Sequence, residues 1–344
     1  MSSQIATLAA RLRAGVNLRR LSLALAAALL GLGCLLWPAI AWQAGLFALD
    51  SLLGIAPMIL VAVFLVAFAA ASGAVSLIAR SFSGRQGRMI VLASLVGALT
   101  PVCGVTVYPL IAGLLAARVP LAPIMAFLLA SPITGPGMLA VTAGTLGLPF
   151  AIGKSLAAIL CGLIGGAVIL ISVRAGLFAV PARVNRLTGD LSGSCAPCTA
   201  LLWRFWGEPQ RRHLFAATLL DSGRMVLFWL LLAFVAEYFL RSYLPERWLT
   251  QAVGGGSWYA IPLATLVGMP IYLDGYAALP LIRGLIDAGM QPGAALSFLV
   301  AGGIVSAWSA IPAFSLLRLP VFITYIGLAF IGALLSGFCY ALVL

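Results

Sequence analysis

Charge is what this sequence has least of. Charged residues make up 8% of its 344 positions, against roughly a quarter in an ordinary soluble domain. Histidine occurs once, at position 213, fifteen residues beyond the Cys195–Cys198 pair, so that pair lies short of the about four ligands of a zinc centre. No GxxxxGK[ST] loop is present, which excludes ATP hydrolysis by the phosphate-cradling route. What the chain has instead is apolar surface: 63% of its residues are hydrophobic and the mean hydropathy is +1.15. That composition belongs to a polytopic membrane protein.

Stretches long enough to cross a bilayer, about 20 residues each, are expected at 21–42, 52–79, 89–117, 122–146, 149–172, 213–240, 259–287, 293–317 and 319–343. The first lies too deep in the chain, and is too poorly followed by a cleavage signal, to be a secretory peptide. It reads as a retained helix behind a basic segment, together residues 1–48. The net charge of +12 is concentrated in three places: Arg11, Arg13, Arg19 and Arg20; Arg80, Arg85 and Arg88; and Arg174, Arg183, Arg186, Arg204, Arg211 and Arg212. Short basic segments beside apolar spans are a positive-inside pattern and attract anionic lipid. The partners expected are a lipid bilayer and a small solute, not nucleic acid. A homo-oligomer stays open, no cofactor is called for, and the location expected is the inner membrane.

If all three clusters are cytoplasmic, the three apolar segments between Arg88 and Arg174 make an even number of crossings, so one of them must dip in and return. The first candidate is 89–117, interrupted by Pro101, Gly104 and Pro109; the next is 122–146, interrupted at Ser131-Pro132-Ile133-Thr134-Gly135-Pro136-Gly137. Non-helical backbone at membrane depth survives only where protein or a wet cavity satisfies its amides.

Sliding the chain by 171 positions aligns Leu49-Asp50-Ser51 with Leu220-Asp221-Ser222, Pro109-Leu110-Ile111 with Pro280-Leu281-Ile282, Phe127-Leu128 with Phe298-Leu299, and Leu148-Pro149 with Leu319-Pro320, without a gap. The expectation is a duplication: repeat 1 over 49–173, a polar connection over 174–212, repeat 2 over 213–344. An odd number of crossings per half makes the repeats inverted, with a central site on broken helices of both. The fold class expected is all-α, with two inverted-topology repeats and broken or re-entrant helices.

In that frame Cys103 of Val102-Cys103-Gly104 meets Asp274 of Leu273-Asp274-Gly275 across a pseudo-twofold axis, with Tyr108, Tyr272 and Tyr276 nearby. A carboxylate inside an apolar segment is a functional residue by default, and proton or cation coupling is its expected task; the structural alternative is a bond to Arg283 or to the amides of a broken helix. Cys103 is weighed between ligand and packing, while Cys34, Cys161 and Cys339 read as core. Asp50-Ser51 and Asp221-Ser222 read as N-caps. Lys154 either snorkels towards the interface or faces the cavity.

The run Cys103-Gly104-Val105-Thr106-Val107-Tyr108-Pro109-Leu110, with Gly113-Leu114-Leu115 and Phe127-Leu128-Leu129-Ala130-Ser131-Pro132, resembles the first signature of the YraQ/ArsP-type predicted permeases. Met269-Pro270-Ile271-Tyr272-Leu273, Pro280 and Pro292-Gly293-Ala294-Ala295-Leu296 with Phe298-Leu299 resemble the second. The resemblance covers roughly residues 50–344 and implies a multi-pass permease; characterised relatives export trivalent organoarsenicals, with membrane cysteines implicated. This chain has Val105 and Asp274 where the family often has Cys, and Gly135 and Ser306 where it often has Asn. Trivalent arsenic favours several soft thiolates, and only Cys103 remains.

Cys195-Ala196-Pro197-Cys198 lies in the polar connection. A CxxC pair can bind a soft metal or cycle as a dithiol, which gives the rival reading of a membrane thiol-disulfide oxidoreductase. That class offers no reason for the duplication. The function expected is therefore secondary transport of a small solute, by resemblance a metalloid or thiol-reactive compound. The residues expected at the site are Cys103, Gly104, Tyr108, Pro109, Ser131, Pro132, Thr134, Tyr272, Asp274, Gly275, Tyr276, Pro280 and Ser306.

Overall fold

The computed structural model of the protein describes residues 38–74, 86–100, 104, 107–116, 119–178, 201–243, 259–270 and 278–343. All regular elements among them are helices. They are α1 Pro38–Ser72, α2 Gln86–Leu99, α3 Val107–Ala116, α4 Leu121–Ala130, α5 Pro136–Leu146 and α6 Leu148–Arg174. A short 3-10 turn at Phe205–Gly207 leads to α7 Pro209–Tyr243, α8 Ala260–Gly268, α9 Ala278–Asp287, α10 Pro292–Ile304, α11 Ala307–Leu316 and α12 Leu319–Val343. Among the described residues, α1, α6, α7 and α12 are long and apolar enough to cross a membrane, and the bent pair α10–α11, with 48° between its arms, can make a fifth span.

The helices repeat in register. Shifted by 171 positions, α1 falls on α7 and α3 on α9 with both ends coinciding, and α4, α5 and α6 begin where α10, α11 and α12 begin. Interior packing repeats as well. A Cβ at Gly97 would stand 3.1 Å from the Phe127 carbonyl oxygen, and one at the equivalent Gly268 would stand 2.6 Å from that of Phe298. Ser94 and its counterpart Thr265 are both buried and both donate to the isoleucine carbonyl one turn back, at 2.8 Å. Small residues at such points let helix backbones approach closely, the main source of helix association where lipid removes the hydrophobic drive.

Each long helix packs antiparallel to its own counterpart. Tyr238 near the end of α7 donates to Gln43 near the start of α1 at 2.7 Å, and Phe64 meets Phe215 edge-on. Arg211 in the first turn of α7 donates through Nη1 to the Ala71 carbonyl at the other end of α1. On α6 and α12, Phe150 stacks edge-on against Tyr340, while Gly165 approaches Leu328. Cys161 approaches Gly332, its equivalent position, and its Sγ lies 3.7 Å from Ser336 Oγ. A position touching its own equivalent is what a twofold relation produces.

The structure departs from two expectations. Helix α1 runs unbroken from Pro38 through the gap expected at 43–51, and α7 runs unbroken from Pro209, so Asp50 and Asp221 lie mid-helix and are not N-caps. Both carboxylates are exposed on the helix surface, where a polar side chain leaves the backbone ladder intact. Cys339 is exposed rather than core, because it sits on the outer face of α12, whereas Cys161 is buried. Arg283 pairs with Asp287 one turn along α9 at 3.1 Å, an exposed i,i+4 pair; Asp274, whose structural alternative is a bond to Arg283 or to broken-helix amides, lies outside the described residues. Both interrupted segments divide into separate helices, α2 from α3 and α4 from α5.

Arg211 also differs from a purely topogenic charge. It is 5% exposed and bonds Glu208 at 2.7 Å besides the Ala71 carbonyl. Together with the Leu202 amide on the Ser72 carbonyl, it satisfies carbonyls that a helix C-terminus otherwise leaves open.

Candidate functional site: two broken helices that meet

Helices α3, α4, α9 and α11 have ten residues each and α5 has eleven. Ten residues rise about 15 Å, half of a hydrocarbon core of roughly 30 Å. Their ends therefore fall at membrane depth, where each freed amide and carbonyl needs a partner.

Between α4 and α5 the chain turns at Ser131-Pro132-Ile133 and runs extended through Gly135 (φ 178°, ψ 163°), which caps α5 without a side-chain hydrogen bond. At the equivalent point Ser306 (φ −125°, ψ 161°) caps α11. Its Oγ accepts the Ser309 amide at 3.1 Å, and Ser309 Oγ accepts the Ser306 amide at 2.9 Å, a reciprocal capping arrangement. The last carbonyl of α10, on Ile304, accepts the Tyr325 hydroxyl of α12 at 2.7 Å. Thr134 donates to the Ala98 carbonyl at 2.8 Å, which ties the first break to the end of α2.

The two breaks touch. A Cβ at Gly303 would lie 3.4 Å from the Pro132 carbonyl oxygen and 3.8 Å from Ile133 Cα. Gly303 and Pro132 are equivalent positions in the 171-residue frame. Gly104 joins them: its Cβ position is 3.6 Å from Ser309 Cβ, 3.8 Å from the Gly303 oxygen and 3.9 Å from Pro132 Cβ. Tyr108, fully buried on α3, interacts with Tyr325.

Of the residues expected from sequence, Gly104, Ser131, Pro132, Thr134 and Ser306 thus gather at or beside the junction, and Tyr108 joins through Tyr325. Pro109 lies in α3 and Pro280 in α9, where Pro280 is exposed. Cys103, Tyr272, Asp274, Gly275 and Tyr276 lie outside the described residues, as do Cys195 and Cys198. Three participants were missed: Gly303, Ser309 and Tyr325. The 171-residue frame could have found Gly303, opposite Pro132, and the Ser306–Ser309 spacing is that of a capping pair. No group of three or more His, Cys, Asp or Glu residues able to hold a metal ion occurs among the described residues.

Long apolar helices with paired broken segments meeting at their centre define a multi-pass membrane permease. The chain matches the family described as "Predicted permease" (ArsP_1) over residues 43–342 and belongs to that family. It is also similar to a UPF0718 protein of Methanocaldococcus jannaschii, with 27% identity over 105 residues, 30% of this chain and 29% of that protein. The chain thus matches less than a third of that relative's length. No solved structure matches it.

Proposed function

We propose that the chain is a secondary carrier of the inner membrane, built from two inverted-topology repeats, with its solute site where the two breaks meet. The observation that carries this reading is the reciprocal contact of Gly303 with Pro132 and Ile133: two half-membrane elements share one point. The antiparallel packing of α1 on α7 and of α6 on α12 supports the inversion. The contact between Arg211 and Ala71 supports a common side for the basic segments that follow α1 and precede α7. Alternating access then amounts to one repeat rocking against the other around a fixed site.

By family resemblance the solute is a metalloid or another thiol-reactive compound. Cys103, the neighbour of Gly104 in sequence, is its thiol contact, and Asp274 couples transport to protons or another cation. Flux in proteoliposomes under a pH gradient tests this, using trivalent methylarsenical, arsenite, divalent metals and inorganic anions with wild type, Asp274→Asn and Cys103→Ala. The expected result is proton-linked movement of one solute, lost in Asp274→Asn. If wild type moves none of them while Cys195 and Cys198 cycle as a dithiol, the carrier reading fails in favour of a thiol-disulfide oxidoreductase. Inversion is tested separately by labelling Leu148→Cys and Leu319→Cys, equivalent exposed positions, with a membrane-impermeant maleimide. Inverted repeats react from opposite faces, and labelling of both from one face rules the inversion out.

A further inference from the structure

An ionisable group well inside a membrane-spanning helix is expensive and is read first as functional. Lys154 on α6 is 3% exposed, so protein encloses it. Asp221 and Arg224 on α7 are different: both are exposed. The spanning stretch of α7 is Pro209–Val235, and the two residues lie on either side of its middle. In a hydrocarbon core of roughly 30 Å centred on that stretch, both charges fall within about 5 Å of the midplane at 1.5 Å per residue. That is too deep for either side chain to snorkel to an interface.

Neither residue forms an ion pair among the described residues. Both belong to an apolar face. Leu220, Leu227 and Leu231, which are 57%, 50% and 46% exposed, line up with Arg224 along one side of the helix, and Asp221 borders them. The opposite side of α7 is used up, since Val226, Leu230 and Phe234 pack with Ala48 and Val63 of α1. Lipid tails answer neither charge, and anionic headgroups lie at the surface. The chain that precedes α1, residues 1–37, holds four arginines and no acidic residue, so it offers Arg224 no carboxylate. What carries both signs at the right depth is α7 itself.

Two copies in one membrane stand upright together, so a twofold axis between them runs along the membrane normal and puts equivalent residues at equal depth. Asp221 and Arg224 differ in depth by one turn, about 4.5 Å. When α7 lies against α7 of a second copy, the carboxylate of each therefore meets the guanidinium of the other, and both pairs close together. The first half cannot do the same: Asp50 is the equivalent of Asp221, but Leu53 stands where Arg224 would be. We infer that the face of α7 formed by Leu220, Asp221, Arg224, Leu227 and Leu231 docks a second copy of this chain, held by two reciprocal Asp221–Arg224 ion pairs in an apolar frame. Polar groups that pair across helices hold helices together where lipid removes the hydrophobic drive. The inference needs only that α7 spans the membrane, and is independent of the solute site and of the inversion.

The test uses the whole chain in proteoliposomes at low protein density, with copies carrying two different fluorophores, and reads association as energy transfer between them. Asp221→Arg and Arg224→Asp each place like charges at both contacts and should weaken self-association about tenfold or more. Mixed with each other, the two variants regain both pairs, so Asp221→Arg should associate with Arg224→Asp as wild type does with itself. This cross-rescue separates pairing between copies from pairing along one helix, because each variant alone still carries one sign at both positions. The inference is overturned if wild type does not self-associate, if either single variant self-associates as wild type does, or if the mixture stays apart. Where a charge variant does not fold, the photocrosslinker p-benzoylphenylalanine replaces Leu227 or, as a control, Leu156 on α6, which is 61% exposed. A covalent dimer from position 227 and not from 156 supports the docking face, and any other pattern overturns it.

Discussion

The two halves of the chain share a scaffold and differ in its polar residues. Helix starts, close glycine contacts and buried hydroxyl-to-carbonyl bonds recur at the same spacing, yet the polar positions around the breaks do not. Ser131, Thr134, Gly135 and Lys154 in the first half face Gly302, Val305, Ser306 and Tyr325 in the second, and Tyr108 faces Leu279. Packing positions stay the same because both halves must solve one problem, bringing three helix backbones together without a hydrophobic drive. Polar positions diverge because one junction is shared and each break contributes something different to it. The second break is closed by the hydroxyls of Ser306 and Ser309, whereas Ser131 Oγ beside the first is buried without a hydrogen-bond partner among the described residues.

The largest effects should come from breaking the shared packing. A methyl group at Gly268 meets the Phe298 carbonyl at 2.6 Å, while one at Gly97 meets the Phe127 carbonyl at 3.1 Å and Ala130 Cβ at 3.2 Å. Backbone cannot step aside as a flexible side chain can. Gly268→Ala should destabilise by about 3 kcal/mol and Gly97→Ala by about 1 kcal/mol, read from the midpoints of denaturant unfolding in detergent. Equal losses at the two positions would mean that the halves do not differ in packing tightness as the distances indicate.

Next in size is Tyr325→Phe, which leaves the buried Ile304 carbonyl without its donor. The expected loss is about 1–2 kcal/mol, towards the upper end for hydrogen bonds inside membrane proteins, seen as a lower unfolding midpoint. Lys154→Tyr should cost less than this in stability, because it installs the residue that the equivalent position of the other half carries. A larger loss for Lys154→Tyr than for Tyr325→Phe would show that the two halves are not built alike at this position.

How much of this was readable beforehand follows from what each signal depends on. The breaks were legible because Pro132, Gly135 and Pro136 disfavour a continuous helix whatever surrounds them, and the frame was legible because Pro109, Phe127 and Pro149 recur without a gap. Helix ends at Asp50 and Asp221 were misread because an N-cap signature in water is only an exposed side chain when apolar residues continue on both sides. The environment of Lys154 could not be read from a sequence window, since it depends on which face of α6 meets α4. The pairing of Tyr325 with Ile304 spans a turn between two helices that no local pattern encodes.

The smallest effects concern the two caps, and they sharpen the comparison most finely. Ser306→Ala removes the acceptor for the Ser309 amide and should cost about 1 kcal/mol. Gly135→Ser supplies the first break with the cap it lacks; Gly135 is extended at φ 178°, which any residue can adopt, so the change should be neutral or gain a few tenths of a kcal/mol. A serine oxygen at 135 would accept one of the first amides of α5, as Ser306 accepts that of Ser309 at the start of α11, so the unfolding midpoint should hold or rise. A Gly135→Ser variant that unfolds as readily as Ser306→Ala would show that the start of α5 has no room for the cap that the start of α11 carries.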